Sequence, residues 1–333
     1  MKKVLVLGAT GHLGCYTALH LSHKGYEVIA VGHRSFDNVF FKTKNIKYIG
    51  NFSLQDESTF NYLPTDIDVV VHLAGAMPAH AGINPKIYIE SITVGMINLC
   101  EWIRNKTNCK RVIFNTTPSD IVAHFGGNHP VKDDVERSFP KDGGDHAIYA
   151  IAKNAACDIL EHYNIMCGIS YCIFRHLTIY CYYPDPYYFI NGIKKIVPWR
   201  LILHNILSGE DVEIWGNPQS LKELLYMKDF VRAVELSIES KCCGYFNLSG
   251  LKPYTLEEQI QGLIDVFGSK TNPSKKIYLP NKPSSPQNLL DSQKAKSILG
   301  WTPLYSWLDA CKDMKIEMKE EPMALLWGKN MEI

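Results

Sequence analysis

Long apolar runs are missing from this chain of 333 residues. No stretch approaches the roughly 20 consecutive apolar residues that a membrane-spanning helix needs. The first apolar run, Val4 to Leu7, is too short for the core of a signal peptide. An excess of one charge is missing too. Lys and Arg number 35 against 34 Asp and Glu, so the formal net charge of +1 gives no electrostatic argument for nucleic acid or a membrane as partner. Of ten cysteines none stands in a C-x-x-C pair, and His33, His72, His80, His124, His129 and His146 lack metal-ligand spacing, so no metal site is expected. Cysteines without a secretion signal point to a reducing compartment, and the expectation is a cytoplasmic protein. The adjacent Cys242 and Cys243 read as packing.

What is present is an ordinary globular composition, 46% hydrophobic and 21% charged, long enough for one large domain or for two lobes sharing a core. The first half alternates short β-like runs with helical periods. Strands are expected at Val4–Leu7, Val28–Val31, Ile46–Ile49, Val69–Ala74, Arg111–Phe114 and Ile169–Phe174. Helices are expected over Leu13–Lys24, from Pro85 to about Asn105, and over Tyr149–Tyr163. This alternation predicts an α/β fold, a Rossmann-type doubly wound parallel sheet with helices on both faces. After about Tyr180 the pattern changes. Tyr180–Phe189, rich in aromatics and proline, reads as a loop, and Pro280–Pro286 as a surface connection. Helical pieces follow at about Leu201–Leu207, Lys228–Ser240 and Thr255–Phe267, with a short strand at Tyr245–Leu248. Residues 1–178 are expected to form the dinucleotide-binding domain. Residues 179–333 mainly form a smaller α/β substrate lobe, with the strand near 245–248 returning to the first. Trp199, Trp215, Trp301 and Trp307 are expected to pack the second lobe.

Gly8-Ala-Thr-Gly-His-Leu-Gly14 follows a strand and opens a helix. In that context the first glycine permits a sharp turn, the second a close approach of backbone to a pyrophosphate, and the third tight helix–strand packing. The helix N-terminus adds N–H groups and a partial positive charge. Versions that hold NAD end their second strand with an acid that binds the ribose hydroxyls. Here that strand ends at Gly32-His33-Arg34, and Asp37 lies beyond the expected ribose position. An Arg beside a missing acid suits a 2′-phosphate, so NADP is favoured as cofactor, with NAD as the alternative.

Tyr149-Ala-Ile-Ala-Lys153 puts two side chains one helical turn apart on one face. An ammonium at Lys153 can stabilise a tyrosinate, lowering its pKa from about 10, and can hold a cofactor ribose. Tyr149 can then act as acid or base at a carbonyl or carbinol oxygen.

Together with the glycine loop, this pair resembles the extended short-chain dehydrogenase/reductase family, and within it the NAD(P)-dependent epimerase/dehydratase branch. The likeness extends along nearly the whole chain, through His72-Leu-Ala-Gly75, Gly95–Glu101, Arg111–Thr117, Asp229–Ala233, Tyr245–Leu248 and Leu299-Gly-Trp-Thr-Pro303. The resemblance implies Thr117, Tyr149 and Lys153 as catalytic residues, with Thr116 beside the first. It implies a cofactor site of Gly8, Thr10, Gly11, His12, Leu13, Gly14, His33, Arg34, Asn51, Phe52, Leu73, Ala74, Gly75, Tyr149 and Lys153, and substrate contacts from Thr178 and Lys222. It implies a nucleotide-sugar substrate, and a homodimer made by two long helices pairing across a two-fold axis.

The sequence also departs from the branch. Its dehydratases carry Asp-Glu after the catalytic Thr, and here Pro118-Ser119 stand there. Ile92 replaces a common Asn, Thr178 another, and Lys222 stands for an Arg. The expected activity is that of an epimerase or a ketoreductase on a nucleotide-activated sugar. A reductase of a non-sugar carbonyl and a non-catalytic NADP(H)-sensing regulator are the alternatives, and the retained Tyr/Lys pair speaks against the latter.

Overall fold

The computed structural model describes residues 2–35, 39–78, 84–139, 145–190, 193–284 and 286–329. Its centre is a parallel sheet of β1 (Lys3–Leu7), β2 (Glu27–Val31), β3 (Lys47–Ile49), β4 (Val69–His72), β5 (Arg111–Asn115), β6 (Ser170–His176) and β7 (Gly244–Leu248). The seven strands lie in the order β7-β6-β5-β4-β1-β2-β3. This is the doubly wound architecture expected from the alternation of strands and helices. The inner strands are nearly continuous apolar runs because helices cover both faces. Successive side chains then enter different cores. Val4 and Val6 pack with α1 (His12–His23) and α4 (Met227–Glu239), through Cys15, Leu21, Phe230 and Val234. Leu5 and Leu7 pack with α2 (Gly95–Lys106) and α3 (Asp145–Cys167), through Leu99, Ile103, Cys157 and Leu160.

A third core lies beyond the sheet. Leu203, Ile206, Ile214, Leu263, Trp307 and Met314 close it, using α5 (Leu256–Phe267), α6 (Trp307–Glu320) and the helix Pro198–Ser208. Trp307 packs there. Trp301 instead enters the sheet core, fully buried, with Nε1 donating to the Asp229 carbonyl at 2.9 Å. The Asp229 carboxylate accepts from the backbone of Leu304 and Tyr305, which fastens the Leu299–Pro303 motif to α4. Trp215 is exposed beside Lys282, whose ammonium lies 4.4 Å from the ring centroid.

Two expected elements also need correction. The helix from Pro85 is not uniform, because Ile89–Val94 is a π-helical segment between Pro85–Tyr88 and α2. There Ser91 Oγ donates to the Ile87 carbonyl and accepts from Ala76 N, while Thr93 donates to the Ala152 carbonyl. These side-chain bonds reach out from the helical run, and π-bulges of this kind occur often at functional sites. The stretch Tyr180–Phe189 is also not all loop. Ile179–Tyr180 pairs with Leu225–Tyr226, and Tyr187–Ile190 pairs antiparallel with Ile193–Ile196. Pro184 and Pro186 precede that second strand, and its aromatic residues favour a pleated surface.

A buried ion pair joins the strand ends at one side. The Arg175 guanidinium on β6 donates twice to the Asp120 carboxylate, at 3.1 and 2.8 Å, and once to Asn247 on β7. Burial pushes the Asp120 carboxyl up from its ordinary value, and Arg175 opposes that shift. Arg175→Met should therefore lower unfolding stability by about 3–5 kcal/mol, because it strands a buried carboxylate. Urea unfolding at neutral pH checks this, and a loss below about 1 kcal/mol would return the pair to the class of weak surface bridges.

Candidate dinucleotide and catalytic site

Strand order reverses between β1 and β4, and in open parallel sheets the crevice beyond such a reversal is where ligands bind. The chain leaves β1 at Gly8 with φ +83°, and a Cβ added there would lie 2.8 Å from Ala74 N and from the Leu73 carbonyl. A Cβ on Gly14 would lie 2.2 Å from the Gly8 oxygen. Both positions therefore need glycine, one for the turn and the other for helix packing. Gly11 precedes α1 without a side-chain cap, and no acid occupies the first helical turn. The positive end of the helix, beginning at His12, Leu13 and Gly14, is thus not offset from within. The structure brings Leu73 and Ala74 against this loop, as Leu73 N bonds the Leu7 carbonyl, while Gly75 faces Ile92.

Beyond β2 and β3 the turns interlock. Asn51, at φ +53°, donates from its backbone to the Arg34 carbonyl at 2.9 Å, and Phe52 N bonds the Gly32 carbonyl. His33 and Arg34 are exposed. Arg34 Nη1 donates to the Leu326 carbonyl at 2.9 Å, a contact from the far end of the chain that no local pattern foretold. Asp37 and His80 lie outside the described residues.

The long helix α3 presents Tyr149 and Lys153 beside the end of β5. Lys153 is only 4% exposed, and its ammonium donates to the Asn115 carbonyl at 2.9 Å. It sits 4.3 Å from the Phe114 ring centroid and 6.0 Å from that of Tyr149. Burial holds its pKa down, at about 8 against an ordinary 10.5. The expected lowering of the Tyr149 pKa is not found. Burial pushes that hydroxyl up, with Tyr88 adding to the shift. The physical reason is that Lys153 is turned to Asn115, while Tyr149 packs edge-on against Tyr88. Thr117 is buried and caps the short helix Pro118–His124, accepting from Ser119 N at 3.2 Å. Thr116 lies against Cys157 of α3. Asp120, next after Pro118-Ser119, is held by Arg175 and so does not restore the missing acid.

Two residues escaped the sequence reading. Asn115, which anchors Lys153, is at a strand end, and only its place in the Arg111–Thr117 segment pointed to it. His176, at the end of β6, has Nδ1 bonded to the Leu177 carbonyl at 2.8 Å. A carbonyl only accepts, so Nδ1 carries the proton and the buried Nε2 is left as a bare acceptor. Burial pushes its pKa down to about 4, with Lys153 and His12 adding to the effect. Thr178 is exposed just beyond. Lys222 is half-buried on Leu221–Lys222, which pairs with Tyr254–Thr255. Pairing of Ile179–Tyr180 with Leu225–Tyr226 brings the segment after Thr178 beside the segment after Lys222.

The profile of the NAD-dependent epimerase/dehydratase family matches residues 4–247. The chain belongs to that family. It is thus an NAD-dependent oxidoreductase-type enzyme of the extended short-chain dehydrogenase/reductase type. A UDP-glucuronate 4-epimerase from Thermodesulfobacterium geofontis is 26% identical over 315 residues, covering 90% of each chain. A UDP-N-acetyl-alpha-D-glucosaminuronate decarboxylase from Bacillus cytotoxicus is 25% identical, covering 94% of this chain and 96% of its own. The crystal structure of UDP-glucuronic acid 4-epimerase from Bacillus cereus, with UDP-glucuronic acid and NAD, superposes with a TM-score of 0.71 at 19% identity. That match covers 96% of this chain and 99% of that one. The glycine cradle found here fits the family's dinucleotide, because added side chains at Gly8 and Gly14 would collide with backbone. Among the described residues, no helix is long and apolar enough to cross a membrane.

The depressed pKa of Lys153 fixes a stability trend in the cofactor-free protein. Below about pH 8 the residue is charged in both folded and unfolded states, and the full burial penalty is present. From there to pH 10.5 the unfolded chain binds more protons, so raising the pH relieves the penalty. Relative to Lys153→Met, the wild type should gain on the order of 2 kcal/mol between pH 7.5 and 10. Paired denaturation curves at those pH values test this, and a difference independent of pH would contradict the buried-ammonium account.

Proposed function

We propose that the enzyme moves hydride at a carbinol carbon of a nucleotide-activated sugar, as an epimerase or a ketoreductase, with Tyr149 as acid/base. The observation that carries this reading is the grouping of Tyr149, Lys153 and Asn115 at the end of β5, in a parallel sheet whose neighbouring switch point holds the phosphate loop. The relatives named above are an epimerase and a decarboxylase of UDP-sugars, which supports the substrate class. In this reading Gly8, Thr10, Gly11, His12, Leu13 and Gly14 hold the cofactor pyrophosphate. Asn51 and Phe52 border its adenosine end, and Leu73, Ala74 and Gly75 its ribose. The bound dinucleotide supplies a hydride acceptor and donor.

The residues divide the remaining work. Tyr149 takes the hydroxyl proton as the C–H bond breaks and a carbonyl forms, and returns it when hydride comes back. Thr117, released from its cap on Ser119, hydrogen-bonds the same oxygen. Lys153 keeps one hydrogen bond to Asn115 and stabilises the tyrosinate, offsetting the burial that raises the Tyr149 pKa. Thr178 and Lys222 contact the sugar nucleotide, Lys222 at its diphosphate. Elimination of water is disfavoured, since Pro118-Ser119 offer no acid and base and Asp120 is bound to Arg175.

The finer cofactor reading is NADP, resting on Arg34 and the missing acid at Gly32. Arg34→Ala should weaken NADP binding about ten- to a hundredfold, the loss of a charge-assisted hydrogen bond, and change NAD binding little. Titration with both cofactors decides it, and equal effects would leave NAD as the natural partner.

The activity itself is tested by incubating purified protein with UDP-glucose and UDP-glucuronic acid, without added cofactor, and separating the epimers. An epimerase interconverts them with no net change in reduced nicotinamide. A ketoreductase instead consumes reduced cofactor stoichiometrically with a 4-keto sugar. Tyr149→Phe should lower either rate about 10²–10⁴-fold while cofactor affinity stays within a factor of about two. Undiminished turnover by that variant would mean another group transfers the proton.

A further inference from the structure

After α6 the chain turns through Glu321, at φ +45°, into the short helix α7 (Ala324–Trp327). Met323 and Leu326 bury their side chains in the sheet core that also contains Phe40 and Phe41. Two polar contacts reach further. Trp327 Nε1 donates to the carbonyl of Thr10, inside the glycine loop, at 2.9 Å. The Leu326 carbonyl accepts from Arg34 at 2.9 Å. The Trp327 ring lies 6.1 Å from that of Tyr16 and 5.0 Å, edge-on, from that of Tyr183. Tyr183 in turn lies 5.5 Å from the ring of His12, the first residue of α1.

We infer that Met323–Trp327 is a built part of the dinucleotide site, and that Trp327 is a positioning residue for the phosphate loop. A segment that served only to close the core would need Met323 and Leu326 alone. This one also bonds the main chain of the loop and the guanidinium after β2, two places that face one ligand. The rings of His12, Tyr183, Trp327 and Tyr16 form a collar around the start of α1. The collar and the Thr10 bond hold the loop in its bound shape before the cofactor arrives, which reduces the ordering cost of binding. Linkage requires the converse as well, so the cofactor must stabilise the docked segment by the same factor. The inference rests on the family's dinucleotide site and on neither the sugar nor the preference for NADP.

The test uses the full-length apo-protein, titrated calorimetrically with NAD and with NADP in the absence of any sugar. Trp327→Phe keeps one aromatic ring but loses the Nε1 hydrogen bond and part of the indole's contact, so the Kd of both cofactors should rise about threefold. Trp327→Ala loses the collar too and should raise both by about tenfold or more. Thermal midpoints of the apo-proteins should stay within a few degrees of wild type. In the wild type, saturating cofactor should slow hydrogen exchange at the Leu326, Trp327 and Gly328 amides, which bond Met323 and Ala324 carbonyls. Unchanged Kd values in Trp327→Phe together with cofactor-independent exchange would overturn the inference. A lower Kd in Trp327→Ala would overturn it in the other direction, by making the segment an obstacle to binding. Should Trp327→Ala fail to fold, Trp327→Phe and the exchange measurement decide alone.

Discussion

The arrangement depends on one close approach. At the end of β1 the backbone must turn within 2.8 Å of where β4 hands on to Leu73 and Ala74, measured from the Cβ that Gly8 does not have. Any side chain there would separate the two strands at the point where the sheet changes direction. The same economy of space places Gly14 over the Gly8 carbonyl, so α1 starts directly above the loop. The helix end, the loop carbonyls and the segment after β4 are consequently fixed relative to one another by sterics. Tyr149 and Lys153 on α3 are tied to this region through Asn115 at the end of β5, a strand whose register with β4 aligns His72 with Phe114.

Electrostatics near the pair follow from dryness. Lys153 and His72 are deeply buried and His176 partly so, with its Nε2 buried, and each has its charged form disfavoured by burial. Tyr149 is likewise kept protonated. In the cofactor-free state Lys153, still an ammonium below about pH 8, is thus the one charged member of this group. In the proposed mechanism the charge that activates Tyr149 comes from Lys153, whose ammonium lies 6.0 Å from the Tyr149 ring centroid and is held by the Asn115 carbonyl. A surface lysine would be screened and mobile, whereas this one is confined to a single anchor.

The doubly wound sheet was legible because its signals are local. Apolar runs such as Val69–His72 have period and length, and Gly8–Gly14 sits between a strand and a helix as the motif demands. The pair Tyr149/Lys153 was legible as a spacing, although its electrostatic balance was not. Desolvation depends on Tyr88 and Phe114, which are distant in sequence. The π-segment at Ile89–Val94 was hidden because its Ser91 and Thr93 side chains bond to Ala76 and Ala152, partners that no periodicity reveals. The hairpin after Pro186 was obscured by its prolines. Contact of Trp327 with Thr10 joins opposite ends of the chain and has no local signature at all.

Of the three positions where the chain departs from the resembled branch, Ile92 packs in the sheet core beside Gly75, while Thr178 and Lys222 lie on segments beyond it, and none belongs to the grouping of Tyr149, Lys153 and Asn115 that carries the proposed hydride chemistry. Retention of label tests that chemistry most directly. A UDP-sugar carrying deuterium at the reacting carbon is turned over in ordinary water, and the product is examined by NMR. Hydride transfer and return within one site predicts that epimerised product keeps its deuterium on carbon. Loss of the label to solvent would mean that a protein base removes a proton from carbon instead, and would contradict the assignment of Tyr149 and Lys153 to hydride chemistry.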